Sequence, residues 1–128
     1  MLSYAMVGTK DLKRAGDFYD KIFDIIGAKR AMEHDTGIMW SDGNPDKPFF
    51  GVCLPHDGNE ATAGNGTMIS FSASSKEQVK EVYDCALANG AICEGEPGMR
   101  GESYYLSYFR DPDGNKFSTF FLLDKELT

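Results

Sequence analysis

The chain has no GxSxG elbow, P-loop, GxGxxG fingerprint or HExxH pair, so the nucleophilic triads and nucleotide cradles that rest on such motifs are set aside. Cysteine is sparse. Cys53, Cys85 and Cys93 form an odd set without CxxC spacing, which indicates neither a disulfide framework nor a cysteine zinc site and fits reduced thiols in a cytoplasmic protein. The two histidines, His34 and His56, lie 22 residues apart in turn-like or linker segments. Each reads as exposed, and either becomes a candidate base only if the fold carries it to a cavity mouth. Basic runs are missing: 13 Lys and Arg stand against 20 Asp and Glu, for a net charge of −7. Nucleic acid and anionic membrane are therefore not expected as partners. No window approaches the ~18 consecutive apolar residues of a membrane span. The opening Met1-Leu2-Ser3-Tyr4-Ala5-Met6-Val7-Gly8 lacks a basic segment followed by a long apolar one, so a soluble, cytoplasmic chain is expected.

Aromatic residues are what the chain does have: nine Phe, six Tyr and one Trp in 128 residues. That is enough ring surface to argue against disorder and to leave rings over for lining a cavity. The length fits one domain that buries roughly two thirds of its unfolded surface.

Two aromatic-rich runs, 104–110 and 116–121, flank Asp111-Pro112-Asp113-Gly114-Asn115. Pro112 presets the first corner of a type I turn, Asp111 can accept from the turn amides, and Gly114 takes the left-handed conformation that lets the strands pair again. A β-hairpin is predicted here. Upstream, Leu2 to Gly8 suits a strand with Ala5 and Val7 on one face and Tyr4 and Met6 on the other. Leu12, Ala15, Phe18, Tyr19, Ile22, Phe23 and Ile26 give a helical stripe ended by Gly27. Lys29 to Glu33, Ile38 to Ser41 and Phe49 to Leu54 read as strands, with the phase of the last left open. Residues 55–66 have no periodicity and read as a linker.

The pattern then repeats. Thr67 to Ala73 is a predicted strand with Met68, Ser70 and Ser72 opposite Ile69 and Phe71, and Ser74-Ser75-Lys76-Glu77 has capping-box spacing. Val79, Val82, Tyr83, Ala86 and Leu87 stripe a second helix ended by Gly90, followed by a strand over Ala91 to Glu94 and a loop over 95–103. Phe18-Tyr19-Asp20 falls on Val82-Tyr83-Asp84, and Tyr4 on Met68, at an offset of 64 residues. A unit that cannot bury both faces of its sheet alone must pair. The expected architecture is α+β: two βαβββ modules, 1–54 and 67–123, within one domain spanning 1–128, pairing into a curved mixed sheet, a half-barrel with the helices outside.

These modules, the opening Val-Gly-Thr-Lys-Asp-Leu before Phe-Tyr, and the closing Arg-Asp-Pro-Asp-Gly-Asn-Lys resemble the vicinal oxygen chelate superfamily, which includes glyoxalase I, bleomycin-resistance proteins and extradiol dioxygenases. The resemblance implies a cavity lined by the first and last strands of each module, and a homodimer. It also implies a divalent ion held by side chains of the first and last strands of each module, with a histidine on each first strand and a glutamate on the last strand of the second module. At the matching positions this chain has Tyr4, Met68 and Ser118, and a fourth position falls within 49–53, where only Cys53 can ligate. A phenol, a thioether and a hydroxyl suit such an ion poorly, so neither a metal nor another cofactor is expected.

The expected ligand site is therefore metal-free. Tyr4 and Ser118 supply hydrogen bonds and Met68 an adaptable wall. Trp40, Phe50, Tyr108 and Phe120 are candidates for the lining, and Arg100 for clamping a carboxylate or phosphate. No catalytic residue is assigned. Binding or sequestration of a small organic molecule is the first functional expectation. A metal-dependent glyoxalase-like lyase or isomerase, or a dioxygenase-like enzyme, is the second, and a subunit whose cavity is filled is the third.

Overall fold

The computed structural model describes residues 1–123. The elements run β1 (Tyr4–Gly8), α1 (Leu12–Ile26), β2 (Lys29–His34), β3 (Gly37–Ser41), β4 (Phe49–Cys53), β5 (Ile69–Ser72), α2 (Lys76–Ala88), β6 (Ile92–Arg100), β7 (Tyr104–Arg110) and β8 (Lys116–Leu122). They form two four-stranded mixed sheets, ordered β1-β4-β3-β2 and β5-β8-β7-β6. The first strand of each half pairs in parallel with the last, β1 with β4 and β5 with β8. This is the expected α+β arrangement of two βαβββ units. Among the described residues β1 and β5 are sheet edges, and the two sheets do not join into one or close into a barrel.

Alternation along the strands sorts the side chains. Ile38, Trp40, Phe50 and Val52 from the first sheet and Phe71, Phe109 and Phe117 from the second join Ala15, Phe18, Tyr19, Ile22 and Phe23 of α1 and Val82 and Ala86 of α2 in one buried cluster. The sheets meet directly there: the Phe50 ring centroid lies 5.2 Å from that of Phe71 and 5.7 Å from that of Phe117, edge-to-face contacts that add to the burial of the rings. Because the helix-side faces share this core, the faces carrying Tyr4 in the first sheet and Ser118 in the second are turned away from it.

Both helices are capped by their own sequence. The Asp11 carboxylate accepts from the Arg14 amide at 3.0 Å at the start of α1, and Gly27 ends it at φ 97°, its amide donating to the Phe23 carbonyl. At α2 the cap is Ser75, one residue later than the Ser74–Glu77 spacing suggests. The Ser75 hydroxyl accepts from the Gln78 amide at 3.0 Å, while the Gln78 side chain reaches back to the Ser74 amide at 2.7 Å and donates to the Ile25 carbonyl at 3.0 Å. Glutamine takes the reciprocal role because its amide group also reaches the end of α1.

A second departure lies in β6, which runs through Arg100 across most of the stretch expected to be a loop. Gly95, Pro97 and Gly98 suggest a loop, and the strand accommodates them through register shifts on either side of Gly95. Bulges let such residues sit in a strand that pairs along only one side.

The Asp111–Asn115 turn does more than connect β7 to β8. Its Gly114 amide donates to the Asp111 carbonyl at 2.9 Å, with Gly114 at φ 88°. The Asp111 carboxylate accepts from the amides of Asp113 and Asn115, from the Asn115 side chain and, at 2.6 Å, from the Tyr19 hydroxyl of α1. Asp113 accepts from the Thr9 hydroxyl, the Lys10 amide and the Arg14 guanidinium, and the Asn115 side chain donates to the Gly8 carbonyl. The turn thus fastens the second half of the chain to the β1–α1 junction.

Candidate functional site

The helix-free face of the first sheet holds a groove of about 490 Å³, lined by Tyr4 and Met6 of β1, Phe49 and Cys53 of β4, Gly37 and Met39 of β3, and Met32 and His34 of β2, with Ser3 and Thr36 at the rim. The register explains the composition. Met6 lies beside Gly51, Gly51 beside Met39 and Met39 beside Met32, so one row across the sheet carries three thioethers and a glycine. A side chain at Gly51 would meet the Met6 Cε at 3.0 Å and the Met39 Cγ at 3.1 Å, so glycine lets the two methionines fold over the sheet. Such a floor is apolar and adaptable. Burial pushes the Cys53 thiol up, which keeps it protonated and unreactive at neutral pH.

The corresponding face of the second sheet carries Met68, Ser70 and Ser72 beside β8, Ser118 and Phe120 on β8, and Tyr104, Leu106 and Tyr108 on β7. Ser118 is paired with Ser70 on one side and Tyr108 on the other, and its hydroxyl donates to the Ser70 oxygen at 2.6 Å. Phe120 stacks obliquely on Tyr104 with centroids 5.6 Å apart.

Tyr4, 58% exposed, is in the groove of the first sheet, whereas Met68, 46% exposed, and Ser118, 1% exposed, belong to the second sheet. All three lie opposite the helix-packing residues, as the alternation predicts, but the groove holding Tyr4 contains neither of the others. Tyr108, Phe120 and Arg100 share the second face. Trp40 and Phe50 are instead in the core, 2% and 8% exposed, one strand position out of phase with the groove. Trp40 donates its indole N–H to the Asp20 carboxylate at 2.9 Å, and Arg30 grips that carboxylate with two nitrogens at 2.9 and 2.8 Å. Burial alone would raise the Asp20 pKa, but the hydrogen bonds from Arg30 and Trp40 outweigh it and the net shift is downward.

The residues missed on the first face are Met6, Met32, Met39 and Phe49. Met6 shares the parity of Tyr4, and fixing the phase of β4 from Gly51 would have found Phe49 and Cys53 with it. His34, read as exposed, is exposed and also lines the groove. His56 lies outside it. Among the described residues no three His, Cys, Asp or Glu side chains are grouped so that they could hold a metal ion. At the positions where the resemblance puts ligands, the Ser118 hydroxyl is engaged with Ser70 and Tyr4 offers a phenol from another face. That donor set does not fit a hard divalent ion.

The βαβββ repeat, the two helix-free faces and the fastening turn define a protein of the vicinal oxygen chelate type. The model of the Glyoxalase/Bleomycin resistance protein/Dioxygenase superfamily matches residues 1–119, and the chain belongs to that family. It is similar to a glyoxalase/bleomycin resistance protein from Albidiferax ferrireducens T118, with 35% identity, a TM-score of 0.87 and coverage of 94% of this chain and 98% of that one. A glyoxalase/bleomycin resistance protein/dioxygenase family enzyme from Burkholderia phytofirmans PsJN, at 22% identity, TM-score 0.76 and coverage of 94% and 98%, shares the fold. So does a putative glyoxalase from Bacillus halodurans, at 18% identity, TM-score 0.77 and coverage of 94% and 95%. No curated protein matches the chain. Among the described residues no helix is long and apolar enough to cross a membrane.

Proposed function

We propose that the protein binds a small, largely apolar organic molecule on the helix-free faces of its sheets, without a divalent ion, and that two copies complete the cavity. The observation that carries this reading is the thioether-lined groove over Gly51, which includes Tyr4 alone of the three positions Tyr4, Met68 and Ser118. A pocket of this size with few polar groups suits a small ligand.

The homodimer follows from the two faces. Tyr4, Met6 and Met32 on one and Met68 and Tyr104 on the other are large, apolar and exposed, and β1 and β5 offer open edges that a second copy can pair. In that assembly the helix-free face of residues 1–54 of one copy lies against that of 67–123 of the other, while the linker 55–66 joins the two modules within each copy. Tyr4 then approaches Met68 and Ser118 across the interface. Three free cysteines fit the reducing cytoplasm.

Thermal-shift screening of the chelator-treated protein against neutral aromatic and aliphatic compounds tests the proposal, because a ligand specific to the folded state raises the melting temperature. Compounds that stabilise wild type and not a Met32→Glu variant support it. Stoichiometric binding of nickel, zinc, manganese or iron, accompanied by glyoxalase or dioxygenase turnover, would overturn it in favour of a metal enzyme.

A further inference from the structure

Arg100 closes β6 and is unlike the other three arginines of the chain. Arg14 meets Asp113, Arg30 meets Asp20 and Glu33, and Arg110 meets Glu94. Among the described residues Arg100 meets no carboxylate. Its Nη1 donates to the Met99 carbonyl at 3.3 Å and its Nη2 to the Glu96 carbonyl at 3.1 Å, and the guanidinium lies 5.7 Å from the centroid of the Tyr108 ring. The Lys116 ammonium lies 5.7 Å from the same ring and also has no carboxylate partner among the described residues. In a chain of net charge −7, neither cation is neutralised by an ion pair among the described residues.

The strand is shaped to seat the guanidinium. A Cβ at Gly95 would lie 2.8 Å from the Tyr108 Cδ2 and 3.4 Å from the Arg100 Nη2, and one at Gly98 would lie 3.0 Å from the Arg100 Nη1. A side chain at Gly98 would crowd the guanidinium, and one at Gly95 would crowd the Tyr108 ring it lies against. Each carbonyl takes one hydrogen from an Nη, which leaves Nε–H and one hydrogen on each Nη in a planar fork suited to an oxyanion. A cation held against an aromatic face is already partly desolvated and ordered, so it loses less on binding an anion.

We propose that Arg100, held against Tyr108, binds the oxyanion head of the ligand, a carboxylate or a phosphate, with Lys116 on the neighbouring strand adding positive charge nearby, while the apolar body of the ligand lies along Tyr104, Leu106 and Phe120. This rests on the ligand-binding reading above and adds the charge class of the ligand. The assignment makes Arg100 and Lys116 determinants of specificity on the second face.

The test uses the full chain, chelator-treated, titrated calorimetrically at low ionic strength with benzoate, phenyl phosphate and the neutral isostere benzamide. At least one anion should bind about tenfold or more tightly than benzamide, and the advantage should shrink as salt is added. Which anion wins distinguishes a carboxylate head from a phosphate one. Arg100→Gln should abolish the preference while leaving benzamide binding within about twofold, and Arg100→Lys should recover part of it, since the charge returns without the fork. Lys116→Gln should weaken the anions alone and serves in place of Arg100→Gln if that variant melts abnormally. Equal affinity for anion and isostere in wild type, a preference that survives both substitutions, or no binding by any of the three probes would overturn the assignment. The broader reading falls as well only if no neutral compound in the thermal-shift screen stabilises the protein.

Discussion

Asp111 receives four donors on two carboxylate oxygens in a buried turn. Burial raises its pKa in spite of those bonds, and burial together with the adjacent Asp111 charge pushes the Tyr19 hydroxyl well above its ordinary range. Tyr19→Phe removes the donor from α1 and leaves a buried acceptor less well satisfied. Chemical denaturation should show a loss of about 1–3 kcal/mol. Asp20 supplies the opposite pH signature. Its folded pKa lies below the unfolded one, so its stabilising contribution is present above the ordinary carboxylate range and is lost as pH falls through the folded value. The stability gap between wild type and Asp20→Asn should therefore be widest near neutral pH and narrow on acidification. A gap that does not change with pH would contradict the role given to the Arg30 and Trp40 hydrogen bonds. At this scale the Asp-Pro-Asp-Gly-Asn turn was legible from its residue types. Its partners Tyr19, Thr9 and Gly8 were not, because they lie some ninety or more positions away along the chain and only the fold brings them near.

Phase decides which side of each strand does what. Tyr4, Met68 and Ser118 could be assigned from alternation because Ala5, Val7, Ile69, Phe71 and Phe117 fix the apolar side of their strands. In β3 and β4 both faces are apolar, so Trp40 and Phe50 looked as fit for a ligand as Met39 and Phe49 did. The structure separates them, and two substitutions test the separation. Phe50→Ala should cost about 3–5 kcal/mol of stability, the range for emptying a packed aromatic site. Tyr4→Ala should cost less than about 1 kcal/mol yet weaken ligand binding. Comparable losses of stability from the two would put Tyr4 in the core. The length of β6 escaped the sequence for a related reason: glycine and proline mark a loop when read locally, whereas pairing with β7 holds them in a bulged strand.

The repeat at an offset of 64 residues was enough to expect two paired modules, but not to say through which faces they meet in one chain. The shared aromatic core settles that the helix-side faces do. In the proposed assembly a second copy covers the open edges and exposed apolar side chains of the other faces. Sedimentation velocity should find a homodimer at micromolar concentration. A Tyr4→Asp, Met68→Asp double variant, which sets like charges against each other across the proposed interface, should sediment as a monomer that still melts cooperatively, because the aromatic core lies within one chain. A double variant that stays dimeric would contradict this pairing.

The account depends most on a cavity that works through apolar burial instead of metal chelation. The direct measurement is calorimetric titration of the tightest compound from the thermal-shift screen into protein held in excess chelator, for wild type and Met32→Glu. The account predicts that wild type binds with the same affinity in chelator as without it and that the variant binds at least about tenfold more weakly, the loss expected when a carboxylate must be desolvated beside the ligand. Binding that disappears in chelator and returns with one equivalent of a divalent ion would contradict it.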